Sequence, residues 1–336
     1  MQPTRCLVTG ATGYIGGRLV PRLLDDGFAV RALARTPDKL SDVPWRDRIE
    51  VARGDLSDAS SLAEAFAGVD VVYYLVHSMG SSDNFSDEER RAAQNVVDAA
   101  RRTGVRRIVY LSGLHPEGAD LSTHLASRTA VGEILIGSGI ETIVLQAGVV
   151  VGAGSASFEM VRHLTNRLPV MTTPKWVHNT IQPIAIDDVL HYLAAAATAA
   201  VPTSRAWDVG GPDVLEYGDM MQIYAEVAGL ARRRILVLPV LTPRLASLWV
   251  GLVTPIPSGL ARPLVESLHC DAVMDNHDVD TIIERPAAGL TPYRDAVKAA
   301  LTRVEYQPDW EAGTAAQWPS DPDWAGPRHR RPAKAG

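Results

Sequence analysis

Thr9-Gly10-Ala11-Thr12-Gly13-Tyr14-Ile15-Gly16 is the stretch whose reading decides the fold. It follows a short apolar run, Cys6–Thr9, and opens a helical pattern, Tyr14–Asp26. In that strand–turn–helix setting the three glycines have separate tasks. Gly10 permits a tight turn, Gly13 lets the backbone come close to a pyrophosphate, and Gly16 lets the helix pack against the strand. The helix N-terminus adds free N–H groups and a partial positive charge. The turn predicts a dinucleotide site built on Gly10, Thr12, Gly13, Tyr14, Ile15 and Gly16.

Similar alternation continues to about residue 150. The apolar runs Ala29–Ala34, Ile49–Ala52, Val69–Val76, Ile108–Ser112 and Thr142–Ala147 are rich in β-branched residues and nearly continuous. Parallel strands buried on both faces have that character. Helical patterns separate them at Ser61–Phe66, Ser86–Thr103 and Thr123–Ser138. Ser61 with Glu64, and Ser86 with Glu89, have capping-box spacing, and Gly104 is a stop signal. Repeated strand–helix–strand units predict an α/β fold with a doubly wound parallel sheet.

Beyond Gly148 the pattern is less regular. Helices are predicted at Phe158–Arg167, Asp188–Ala200, Met220–Ala228 and Pro292–Val304, the last capped by Thr291, with a strand at Ala206–Val209. The expected organisation is a dinucleotide-binding domain over 1–150 and a smaller mixed domain over 151–312, partly interleaved with the first. A flexible tail over 313–336 follows, rich in proline and ending near Arg328-His329-Arg330-Arg331.

Cofactor choice is read at the end of the second strand, Ala32-Leu33-Ala34-Arg35-Thr36-Pro37-Asp38-Lys39. An acid there would bond the ribose 2′-hydroxyl of NAD. Arg35 stands there instead, and its planar fork of donors suits a 2′-phosphate. NADP(H) is the preferred cofactor on this reading, and NAD(H) the alternative.

Composition narrows the classes further. The 336 residues are 46% hydrophobic and 21% charged, ordinary globular usage. A net charge of -6 argues against nucleic acid as a partner. Two cysteines, Cys6 and Cys270, exclude a disulfide framework and a cysteine-rich zinc site. They fit a reducing, cytoplasmic compartment, and a first strand that begins so close to Met1 leaves no room for a targeting segment. The histidines at 77, 115, 124, 163, 178 and 191 show no metal-ligand spacing, so no metal is expected.

The sequence resembles the atypical short-chain dehydrogenase/reductase superfamily in its extended, NmrA-like branch. The resemblance covers about the first 200 residues. It rests on Thr9–Gly16, Gly54-Asp55-Leu56, Tyr73-Tyr74-Leu75-Val76-His77-Ser78, Val109-Tyr110-Leu111-Ser112-Gly113, Gln146-Ala147-Gly148-Val149-Val150 and Gln182–Val189. It implies that Asp55 and Leu56 line the adenine. By the same resemblance Leu75, Val76 and His77 pass the ribose, and Gly148, Val149 and Val150 lie by the nicotinamide. Catalytic members carry Tyr-x-x-x-Lys on the helix after the fifth strand; here His124 and Arg128 stand at those positions. Their i, i+4 spacing puts both on one helix face. His124 can exchange a proton near neutral pH, whereas Arg128 stays protonated and would hold a ribose hydroxyl. Ser112 matches the family's substrate-bonding serine, although Gly113-Leu114 departs from the usual following sequence.

The segment 235–268 is unusually apolar but is interrupted by Pro239, Pro243 and Arg244, so it does not read as a membrane span. It reads as the core of the second domain, as an apolar substrate wall, or as a surface touching a bilayer or partner. The expected function is an NADP(H)-dependent oxidoreductase acting on an apolar small molecule. A non-catalytic dinucleotide sensor and an accessory protein of a membrane complex are the alternatives.

Overall fold

The computed structural model describes residues 3–76, 84–116, 118, 121–237, 253–268 and 270–302, with 315, 317, 318, 321, 322, 324 and 325. Six strands, β1 (Arg5–Thr9), β2 (Ala29–Ala34), β3 (Glu50–Arg53), β4 (Val71–Tyr74), β5 (Arg107–Gly113) and β6 (Glu141–Ala147), join the strand Arg205–Val209 in one seven-stranded sheet. All neighbours run parallel, in the order Arg205–Val209, β6, β5, β4, β1, β2, β3. The order reverses between β1 and β4, so the chain leaves their C-terminal ends in opposite directions and opens a crevice there. This is the doubly wound sheet predicted from the sequence.

The helices are α1 (Tyr14–Asp25), α2 (Leu62–Phe66), α3 (Phe85–Thr103), α4 (Thr123–Ile136), α5 (Ala156–Arg167), α6 (Ile186–Ala196), α7 (Tyr217–Val227) and α8 (Ser258–Ser267). On one face of the sheet, Leu19, Leu23, Leu190 and Leu193 of α1 and α6 meet Val8, Tyr73 and Val109. On the other, Phe66, Val96, Val97, Val131 and Leu135 meet Val72, Tyr110 and Val144. Coverage of both faces is why β4 and β5 are buried along their whole length. A third core gathers Phe158, Val161, Met221, Tyr224, Ile256 and Val265 from α5, α7 and the α8 region. The residues after 150 are thus divided: α6 and Arg205–Val209 complete the sheet layers, and the rest build a core beyond its C-terminal edge.

Three helix starts differ from the predicted caps. Ser61 Oγ accepts from Asp55 N at 2.9 Å and accepts no bond from the N-terminus of α2; Asp58 caps the turn before it. Ser86 lies inside α3, which begins at Phe85, and Glu89 points inward to accept from the Ser127 hydroxyl. Thr291 donates its N–H to Asp188 at 2.8 Å, and the helix Tyr293–Leu301 is capped by Asp213, which accepts from Tyr293 N at 2.7 Å. For Glu89 and Thr291 the competing partner is a side chain distant in sequence, whereas Ser61 is taken by the backbone of its own turn. Gly104 does end α3, with φ 78°.

The predicted flexible tail is corrected at its described residues, which are packed. Arg18 of α1 is 2% exposed, and its guanidinium is bidentate to Asp321 at 2.8 and 2.7 Å. It lies over the Tyr14 ring at 4.1 Å and the Trp318 ring at 4.6 Å. Ala153 N donates to Ala315 O at 2.9 Å, and His163 Nε2 donates to Trp324 O at 2.8 Å. The sequence marks proline here but hides the buried cation that the acid must neutralise. Asp321→Ala should cost about 3–5 kcal/mol, the usual effect of leaving a buried charge without its partner. Arg18→Met combined with Asp321→Leu should recover most of that loss, as urea denaturation of the variants will show.

Candidate functional site

The turn after β1 is closed by Gly13 N donating to Gly10 O at 2.8 Å, with Gly10 at φ 74°. A Cβ on Gly16 would lie 2.3 Å from Gly10 O, so α1 can approach β1 only without one. A Cβ on Gly13 would meet nothing within 4 Å but Gly10 O at 3.2 Å. Thr12 and Gly13 are exposed. The first N–H groups of a helix have no partner within it. An open, glycine-lined cradle of donors at a helix N-terminus fits a pyrophosphate.

Thr9 ties this turn to β4. Its hydroxyl donates to Tyr73 O at 2.9 Å and accepts from Leu75 N at 3.0 Å. Leu75 O would in turn lie 2.9 Å from a Cβ on Gly10. The phosphate turn and the Leu75–Val76 segment are therefore adjacent, as predicted; His77 lies outside the described residues. At the other end, Arg35 is exposed just past β2. Burial alone would raise the Asp55 carboxyl, but bonds from Ser57 N (2.9 Å) and Ser57 Oγ (2.8 Å), with the Arg35 charge, hold it below the ordinary value. Leu56 packs its side chain into the core with Phe66, and its carbonyl accepts from Asn95 Nδ2 at 2.8 Å. Tyr14 also turns inward. Its ring lies under Arg18, and its hydroxyl packs against Gly152 without a hydrogen-bond partner, which pushes its pKa well up. Only the backbones of Leu56 and Tyr14 remain for a cofactor. Ile15 is half-buried against the sheet core.

A cavity lies beyond the C-terminal ends of β5 and β6. Gly113, Leu114, Ala147, Gly148 and Val149 form one side of it, and His124, Leu125 and Arg128 of α4 another. Met160, Val161, Ile181 and Tyr217, with Pro263, Leu264, Ser267 and Leu268 of the α8 region, complete its largely apolar wall. Gly148 is needed where the chain crosses the 181–183 segment, since a Cβ would lie 2.8 Å from Gln182 O. Of the residues predicted at the nicotinamide, Gly148 and Val149 line the cavity. Val150 instead pairs with Ile184 in a short parallel bridge.

Ser122 Oγ accepts from Leu125 N at 3.3 Å, which starts α4 so that His124 and Arg128 share the cavity face. His124 is half-buried and stacks on Phe85, ring centroids 4.5 Å apart. Its pKa lies below 6.5 chiefly because burial disfavours the imidazolium; Glu266 and Glu89 oppose this, while Arg128 and Arg262 add to it. Ser112 is buried at the end of β5, outside the cavity wall, and its Oγ makes no hydrogen bond. Glu89 is the cavity residue that the sequence reading misassigned, as a helix cap. The described part of the apolar segment 235–268 is divided between a core and the cavity wall. Ile256, Ala261 and Val265 enter the third core, while Pro263, Leu264 and Leu268 face the cavity. Residues 238–252 lie outside the described ones, and no helix among those described is long and apolar enough to cross a membrane.

Residues 10–146 match the family model of NAD(P)H-binding domains. The matched span holds β2 to β5 whole and β6 but for Ala147, and with them the phosphate turn from Gly10 onward, Arg35, His124 and Arg128; β1 lies just before it. A 3β-hydroxysteroid dehydrogenase/Δ5→4-isomerase of Mycobacterium tuberculosis is 36% identical over 119 residues, 32% of this chain and 31% of that protein. The chain thus spans about a third of the length of the curated relatives it matches. Citrobacter sp. triphenylmethane reductase complexed with NADP(H) superposes with a TM-score of 0.69 at 21% identity, over 88% of this chain and 100% of that one. The NADPH-dependent quinone oxidoreductase of Escherichia coli, complexed with NADPH, does so with a TM-score of 0.69 at 20% identity, over the same 88% and 100%. At these identities the likeness is one of fold.

Gly13→Val should abolish dinucleotide binding in calorimetry while circular dichroism changes little and the thermal midpoint drops only slightly, because its Cβ presses on Gly10 O alone at 3.2 Å. Gly16→Val, by contrast, should lower the thermal midpoint itself.

Proposed function

We propose that this protein is an NADP(H)-dependent oxidoreductase that reduces or oxidises an apolar carbonyl, alkene or quinone-like molecule in the cavity beside α4. The observation that carries this reading is the cavity itself. Gly148 and Val149, expected at the nicotinamide, share its wall with one proton-exchanging side chain, His124, and one fixed cation, Arg128. The remaining wall is mostly apolar, which suits a substrate with a single polar atom. The relatives named as acting on a steroid, a dye and a quinone agree with that choice.

When bound, the cofactor supplies a hydride from C4 of its nicotinamide. The chain's residues do the rest. The turn from Gly10 to Gly16 and the N-terminus of α1 hold the pyrophosphate. Arg35 pairs with the 2′-phosphate. Arg128 holds the nicotinamide ribose, and its charge cannot be lost at any working pH. In the reducing direction the His124 imidazolium gives a proton to the substrate oxygen as the carbon gains the hydride, and neutral imidazole remains.

Cofactor preference tests the first part. A charge-assisted phosphate bond is worth about 1.5–3 kcal/mol, so NADPH should bind at least about tenfold more tightly than NADH. Arg35→Asp should erase or reverse that ratio, and equal dissociation constants for the native chain would refute it.

The chemistry is tested by pH. Turnover needs the imidazolium, so it should fall as pH rises through the His124 pKa, with a midpoint below 6.5. His124→Ala should lose roughly 10²–10⁴-fold in rate, the usual contribution of a positioned acid, with NADPH affinity unchanged. Arg128→Ala should instead weaken NADPH binding. Full turnover in His124→Ala would assign the proton to another donor. If no carbonyl, alkene or quinone of any kind oxidises NADPH with the native chain, the dinucleotide-sensor reading replaces this one.

A further inference from the structure

Glu89 is a carboxylate in the first turns of α3, yet it is 8% exposed. A buried acid is tolerated where hydrogen bonds satisfy it. Glu89 Oε2 accepts from the Ser127 hydroxyl of α4, and the residue lines the same cavity as His124 and Arg128. The helix pair explains this meeting. Phe85 and Glu89 are four residues apart on α3, so they share a face. His124, Ser127 and Arg128 share a face of α4 by the same spacing. The two faces oppose each other: the Phe85 ring stacks on the His124 imidazole at 4.5 Å and 23°, and one turn further along Ser127 donates to Glu89.

The groups around His124 come from three elements. Phe85 and Glu89 belong to α3, Arg128 to α4, and Arg262 and Glu266 to α8. Glu266 is the other acid near the ring, but it is bonded by Arg262 at 2.7 Å and its partner is largely in solvent. Solvent screens such a pair, whereas a carboxylate enclosed between two helices acts through a lower dielectric.

We propose that Glu89 is a positioning residue of this site: anchored by Ser127, its buried carboxylate sets the register of the α3–α4 faces and supplies the negative charge that stabilises the His124 imidazolium against Arg128 and Arg262. Burial, Arg128 and Arg262 already favour the neutral ring, which has no proton to give, and without the Glu89 charge they would do so further. For its catalytic consequence this rests on the oxidoreductase reading; for its electrostatic content it does not.

The test is the titration of His124 by NMR in the full-length chain without substrate. Glu89→Gln keeps an acceptor for Ser127 but removes the charge. It should lower the imidazolium population about threefold at a pH one unit above the native midpoint, half a unit of pKa. Glu266→Gln, which removes the other acid near the ring, should lower it as well. Glu89→Asp keeps the charge but withdraws it by one methylene, and should give a smaller change of the same sign; it also serves if Glu89→Gln does not fold. With an active substrate, kcat should fall in parallel while KM for NADPH stays constant. An unchanged His124 titration in every folded Glu89 variant overturns the proposal, whatever the turnover. A shifted titration with no turnover on any substrate leaves Glu89 in its positioning role and removes the oxidoreductase reading instead.

Discussion

Everything at the candidate site follows from one close contact. The first helix reaches the first strand because position 16 has no Cβ; one placed there would press to 2.3 Å on Gly10 O. That approach lets the turn close between Gly10 and Gly13, points the free end of α1 into the crevice, and sets Leu75 against the turn. The Thr9 hydroxyl fixes the same geometry from the side, since it bridges Tyr73 O and Leu75 N. A phosphate cradle is thus assembled from backbone, with little dependence on long side chains.

The second consequence concerns the far end of the crevice. Parallel strands present all their C-terminal ends on one edge of the sheet, so whatever packs beyond that edge forms the other half of the site. Here that is the third core, with Met160, Val161, Tyr217 and the α8 region closing over α4. The Ser122 and Ser267 hydroxyls lie 3.4 Å apart, linking the start of α4 to the end of α8. The helix that carries His124 and Arg128 is therefore held between the sheet and the apolar wall, and the charges of α8 reach the His124 ring.

Burial of charge is the third theme. Arg18 with Asp321, and Glu89 with Ser127, are buried polar groups satisfied by partners remote in sequence. Each lies beside a segment that the sequence assigns to another purpose: Arg18 over the ring of Tyr14 in the phosphate turn, Glu89 one turn along α3 from Phe85, which stacks on His124. Such groups are costly when unpaired and specific when paired. They join the tail to α1 and α3 to α4.

Six of the sheet's seven strands, the glycine turn and the face shared by His124 and Arg128 were legible from residues 1–150 because each depends on short-range patterns: continuous β-branched runs, glycine spacing, and helical periodicity. Tertiary structure alone decided the rest. Glu89 and Thr291 do not cap as their spacing suggests, because Ser127 and Asp188 offer partners from elsewhere in the fold, and Ser61 is taken by the Asp55 N–H of its own turn. Ser112 falls outside the cavity wall, since that wall is supplied at the end of β5 by Gly113 and Leu114. Asp321 pairs with the buried Arg18, and nothing local to Asp321 reports that burial. Sequence periodicity records which way a side chain points from its own element. It does not record which other element arrives to meet it, and that meeting decided the partners of Glu89, Arg18 and His124.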